Sequence, residues 1–367
     1  MKLVFDKADL VKSVGIAMKA VSGKTTMPIL ECILIDASSN VIKFTSNDME
    51  LGIETIVTGM ILERGIVALD AKIFSEIVRK LPDSEVTIET DDNNKALIKC
   101  EKAKFNIAGK DGEDFVALPE IEKTHFITLS QFSLKEIIRQ TIFSISDNES
   151  NRMMSGELLQ IDQDQLRLVS LDGQRIYIRK ISLKESYDPI KAVIPGKTLN
   201  EISKILSGDM DDDVRIYFTD RHVLFEFDQT VVVSRLLEGE YFQIDKMISS
   251  DYNTKITINK KELHGCIERA SLLIRESERK PIIINVTDGS MEMKIQSAMG
   301  SMNEDIDISK EGRDIMIGFN PKFILDALRV IDDEEITMYL VNPKAPFIIK
   351  NDEQSYIYLV LPISFNM

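Results

Sequence analysis

The 367-residue chain contains no tryptophan, only three cysteines and three histidines, and no apolar run near the roughly 18 residues that cross a bilayer. Each shortage removes a class of function. Cys32, Cys100 and Cys266 are odd in number and fall one per third, which argues for small buried thiols rather than a zinc or redox pair. His125, His222 and His264 lie far apart in sequence, so neither metal binding nor histidine catalysis is expected. SGKTT at Ser22–Thr26 and PGKT at Pro195–Thr198 imitate the end of a phosphate-binding loop, but Met18 and Lys191 replace its earlier glycine. Asp209, Asp211 and Asp213 imitate the opening of a calcium loop, yet Val214 stands where the sharp turn requires glycine. The opening MKLVFDKADL lacks the basic-then-apolar pattern of a signal peptide. A cytoplasmic, non-enzymatic chain with no cofactor and no membrane partner is therefore expected.

What is present is a repeat. Lys72, Lys197 and Lys322 follow one another at intervals of 125 residues, inside DAKIFSEIVRKL, PGKTLNEISKIL and NPKFILDALRVI. Four residues on stand Glu76, Glu201 and Asp326, and seven on stand Arg79, Lys204 and Arg329. Apolar residues recur two and five positions on, as Phe74, Leu199 and Ile324, then Ile77, Ile202 and Ala327. At about 100° per residue this places the apolar positions on one helix face and the charges on the opposite one. A base, an acid and a second base in one register three times exceeds chance and marks three copies of one unit.

Each third also opens with a short strand, a turn and a second amphipathic helix, beginning near Asp6, Gln131 and Asn259. Alternating, β-branched segments fill the rest, with Ser-Ser-Asn, Asp-Gln-Asp and Asp-Gly expected as hairpin tips. Two helices per third cannot supply the crossovers a parallel sheet needs, so the expected class is α+β, with two helices packed on antiparallel sheets in each of three similar domains. Polar segments at Glu122–His125 and Ser250–Asn253 place the domains at 1–124, 125–252 and 253–367.

The net charge of −15 argues against a nucleic-acid partner until its distribution is examined. The six predicted helices together carry +9, leaving −24 on the remainder. If they share a side, that side is a basic surface on an acidic body, suited to a polyanion held without sequence readout.

Several segments along the whole length sharpen this. MPIL at Met27–Leu30, SNDMELGIE at Ser46–Glu54, LDGQRIYI at Leu171–Ile178, IPGKTLNEISKIL at Ile194–Leu206, FNPKFILDAL at Phe319–Leu328 and the late YLVLPISFNM occur in an order and spacing that resemble the bacterial sliding-clamp family, the β subunit of DNA polymerase III. The resemblance implies a clamp fold of three domains and a head-to-tail homodimer closed into a ring around double-stranded DNA. It further implies tethering of the replicative polymerase, with the clamp loader and other repair and replication proteins as partners, and a nucleoid location. It matches Lys24 to a DNA-contacting position; Lys72, Lys197 and Lys322 are nominated from their helix face.

The family's partner-peptide groove carries over to Met154, Leu171, Gly173, Gln174, Arg175, Ile176, Phe242, Lys246, Met247, Pro346, Leu361, Pro362 and Ile363. Methionine, leucine, isoleucine and proline suit an adaptable apolar pocket. Subunit contact is implied for Phe105, Leu272 and Leu273. Two positions depart from the family pattern: Phe242 stands where a pocket proline is common, and Ser364 where an arginine is. The alternative function is a repeat-built peptide-binding scaffold that does not enclose DNA.

Overall fold

The computed structural model describes residues 1–23, 25–146, 151–249, 251–275 and 280–365. Six α-helices occur among them: α1 (Lys7–Ala17), α2 (Ala71–Lys80), α3 (Gln131–Arg139), α4 (Gly196–Ile205), α5 (Lys260–Ser271) and α6 (Pro321–Val330). Their ends follow from local chemistry. Asp6, Asp70, Asn259 and Asn320 each accept a backbone N–H from the first turn of α1, α2, α5 and α6, and Pro321 occupies the first position of α6, where a missing N–H costs nothing. All described strand pairs are antiparallel, as the scarcity of crossovers requires.

The chain divides into two compact units, Met1–Lys135 with Asn200–Leu236, and Glu136–Leu199 with Leu237–Met367. The first unit holds one 13-stranded sheet. Strand Thr230–Arg235, from the central third of the sequence, pairs with Leu51–Val57 from the first, running Thr230 opposite Thr55 to Ser234 opposite Leu51. The two threonine hydroxyls meet at 2.9 Å in the buried interior. Beneath the first-third part of the sheet, Phe5, Phe44 and Phe74 stack edge-to-face at 6.0 and 6.2 Å, all but fully buried.

The second unit holds a seven-stranded and a four-stranded sheet. Here Arg175–Arg179, early in the strand Arg175–Pro195, pairs with Tyr356–Val360 from the last third. The antiparallel sheets expected in each third are also joined to one another: backbone ladders run across the thirds. A second correction concerns Asp162-Gln163-Asp164, expected as a hairpin tip. Gly156–Leu171 is one continuous strand paired along its length with Arg175–Pro195. Gln163 takes a left-handed φ of 55° and the register slips around it, so the turn-forming residues make a bulge rather than a reversal. The other two tips lie where expected, with Gly289 at φ 75° between Ile282–Thr287 and Ser290–Ser297.

Candidate functional site

The hairpin that follows the strand Gly156–Leu171 builds a pocket in the second unit. Asp172 Oδ1 accepts the backbone N–H of Gln174 at 3.0 Å and of Arg175 at 3.2 Å, while Gly173 adopts φ 88°. No atom lies within 4 Å of a Cβ built at Gly173, so the glycine is required by its backbone angle rather than by crowding. This tight turn presents Leu171, Gly173, Gln174, Arg175 and Ile176 to a cavity of about 250 Å³. Met154 enters from the 3-10 turn Arg152–Ser155, whose cap Asn151 receives the N–H of Met153. Phe242, edge-on to Tyr241 at 5.7 Å, and Met247 close a second side. Pro346, Leu359 and Leu361 complete the wall, and Leu361 is fastened by its N–H to the carbonyl of Gln174 at 2.8 Å.

Ten of the thirteen residues nominated for a groove therefore line one cavity. Lys246 and Pro362 neighbour it in sequence without lining it, and Ile363 lines a different hollow. Leu359 was missed; it sits on an apolar strand with no motif of its own and only the pairing with Arg175–Arg179 brings it there.

Arg175 is the charged member, and it is almost wholly buried. Its Nε donates to Asp172 Oδ2 at 2.8 Å, Nη1 to Asp326 Oδ2 at 2.7 Å, and Nη2 to the Phe143 carbonyl at 2.7 Å. The guanidinium also lies over the Phe323 ring at 4.4 Å. Asp326, which the repeat places on the helix face opposite the apolar positions, is mostly buried and turned toward Arg175, with Arg329 at 3.6 Å as a second partner.

Behind this hairpin lies a buried carboxyl that sequence reasoning did not single out. Glu157 accepts from the Thr141 hydroxyl at 2.7 Å through one oxygen, while the other has no partner among the described residues. Burial pushes its pKa up to about 8, so at neutral pH it is held largely as the uncharged acid. Tyr241 next to the pocket rim is anchored through its hydroxyl to the Val169 carbonyl at 3.3 Å.

The nominated basic residues sit on the expected helices. Lys72 on α2, Lys197 on α4 and Lys322 on α6 are all exposed, while Phe74, Leu199 and Ile324 two positions on are buried. Lys24 lies outside the described residues. In the first unit Lys19, Arg79 and Lys204 surround a hollow of about 480 Å³ with Glu201 among them. Glu201 pairs with Lys204 at 2.7 Å and with Lys19 at 3.8 Å, so part of the positive charge is already neutralised.

Of the residues nominated for subunit contact, Phe105 on the strand Ala103–Asp111 and Leu272 at the end of α5 are exposed, Leu272 by 75%. Leu273 is half-buried against the core of the last third. Among the described residues no cluster of three histidine, cysteine or acidic side chains could hold a metal ion; His264 meets one acid, Glu268, at 3.4 Å. No described helix is long and apolar enough to cross a membrane.

Comparison with known proteins extends over the entire length. Residues 1–119, 128–243 and 245–364 match the N-terminal, central and C-terminal domain families of the DNA polymerase III beta subunit. The Beta sliding clamp of Bacillus subtilis (strain 168) is 36% identical over 376 aligned positions covering 99% of both chains. A crystal structure from Eubacterium rectale assigned to the DNA polymerase III beta subunit superposes with TM-score 0.97 at 64% identity, and the DNA polymerase sliding clamp of Bacillus subtilis with 0.96 at 35%, each covering 100% of both chains. The α+β fold seen here is the fold of these clamps.

Proposed function

Because the chain belongs to the DNA polymerase III beta-subunit family of sliding clamps, we propose that two copies close head to tail into a ring around double-stranded DNA and tether the replicative polymerase to it. The role is non-catalytic and carried out in the cytoplasm at the nucleoid. Three domains, 1–124, 125–252 and 253–367, make up each copy.

Lys72, Lys197 and Lys322, with Lys24, face the DNA in this reading. Their contacts need no base readout, since phosphate attraction is independent of sequence and weak screened contacts let the protein slide. Enclosure rather than affinity holds the complex, which reconciles a −15 chain with a polyanion partner. Phe105, Leu272 and Leu273 belong to the contact between copies, which is heterologous and closes when the rotation between copies allows. The polymerase, the clamp loader and other replication and repair proteins compete for the apolar groove through short extended peptides.

The observation that carries the reading is the convergence of ten motif-nominated residues on one small, almost wholly apolar cavity in a chain matched to the family throughout. The sliding-clamp relatives favour it over a scaffold that leaves DNA unenclosed. Two measurements test it. Sedimentation should give a concentration-stable dimer near twice 41.6 kDa. Protein loaded on circular DNA should remain bound and slip off once the circle is cut; equal loss from both forms, or a monomer, sinks the proposal.

A further inference from the structure

A second hollow, of about 540 Å³, lies beside the groove in the same unit. Two short segments border both. Residues 342–346 give Asn342 and Lys344 to the hollow and Pro346 to the groove; residues 361–365 give Leu361 to the groove and Ile363 and Phe365 to the hollow. The later segment is held in place: Ile363 N–H donates to the Gly318 carbonyl at 2.8 Å, and the Phe365 ring comes within 2.8 Å of where a Cβ on Gly318 would stand. Any larger residue at 318 would push that ring away.

The floor of the hollow is apolar, with Ile315 buried and Met316 partly so. Its rim is cationic. Arg313 and Lys344 are exposed and neither has an ion-pair partner among the described residues, whereas the lining acid, Asp314, is taken by Lys310. Two uncommitted cations over an apolar floor make a local positive surplus in a chain whose net charge is −15. Arginine also offers a planar fork matched to a carboxylate.

We propose that this hollow is an acid-selective subsite, which takes a carboxylate side chain carried on an extended partner peptide two to four residues from the apolar anchor in the groove. The spacing follows from the shared border: Ile363 and Phe365 lie two and four residues beyond Leu361, and an extended chain covers about 3.3 Å per residue. The aliphatic stem of a glutamate would lie on the floor while its carboxylate meets Arg313 and Lys344. The inference rests on the groove reading, because the anchor fixes where the flank falls.

The test uses the full chain and fluorescent peptides with one apolar anchor and either Glu or Gln placed two to four residues away, on each flank in turn. On one flank the Glu peptide should bind about fivefold more tightly at low salt, and the preference should shrink as salt rises. The Arg313→Gln/Lys344→Gln variant should lose that preference while binding the Gln peptide as the parent does. Equal binding of Glu and Gln peptides on both flanks, or a preference that survives the double variant, overturns the subsite. If neither peptide binds at all, the groove reading itself falls and the subsite falls with it.

Discussion

Arg175 and Asp326 are 151 residues apart in sequence and 2.7 Å apart in space, Nη1 to Oδ2. The pair joins the hairpin that shapes the groove to α6, the helix that carries Lys322. Both side chains are largely removed from water, 6% and 13% exposed, so neither charge is cheap to leave alone.

Asp326→Ala should therefore cost about 2–3 kcal/mol in urea unfolding, less than the loss of a sole partner because Asp172 still holds Nε. Groove-peptide affinity should fall as well, since Arg175 lines the cavity. Unchanged stability with unchanged peptide binding would show that Asp172 and the Phe143 carbonyl suffice.

Leu361 offers the opposite case. It is 40% exposed at the groove mouth, so Leu361→Asp should shift stability by no more than about 0.5 kcal/mol. Peptide affinity should drop at least about tenfold, from a carboxylate facing an apolar pocket. Fluorescence anisotropy with a groove peptide, alongside a thermal melt, separates the two effects.

Replacing Lys72, Lys197 and Lys322 together by glutamine should leave the melt unchanged, because all three are exposed. The salt dependence of transient DNA binding should weaken, by up to about one unit of log-log slope for each phosphate that is no longer neutralised. A slope identical to that of the parent would remove these lysines from the DNA-facing set.

Glu157 predicts a pH profile. Its folded pKa of about 8 is raised above the unfolded value, so the stabilisation is fully present below about pH 4.5 and is lost as pH rises toward and through about 8. Glu157→Gln, which keeps the shape without the charge, should flatten that decline and be the more stable protein at the alkaline end. Chemical denaturation at pH 5, 7 and 9 checks it; parallel profiles for the two proteins would contradict the assignment.

How far the sequence anticipated this can be traced to particular residues. The helices of the repeat were legible because a 3.6-residue apolar period is a local signal. The groove was legible through family motifs on the Asp172–Ile176 hairpin and near Leu361, not through any pattern of its own. The burial of Asp326 against Arg175 was not legible, because register within a repeat says which face a residue takes, not what lies opposite in one copy. The bulge at Gln163 escaped because turn-forming residues also fit an irregular strand. Leu359 and the ladder between Thr230–Ser234 and Leu51–Thr55 escaped for a related reason: alternation identifies a strand but does not name its neighbour.

That ladder has a practical consequence for anyone cutting the gene. A fragment ending near residue 124 would carry Leu51–Val57 with its outer hydrogen-bonding groups bare, since the strand that covers them begins at Thr230. Such an edge, on a strand that carries Ile53 and Val57, invites pairing with other copies of itself. The fragment cut near residue 124 should thus be sticky and poorly soluble, even though the first third has its own core; a piece that keeps Thr230–Arg235 should behave better.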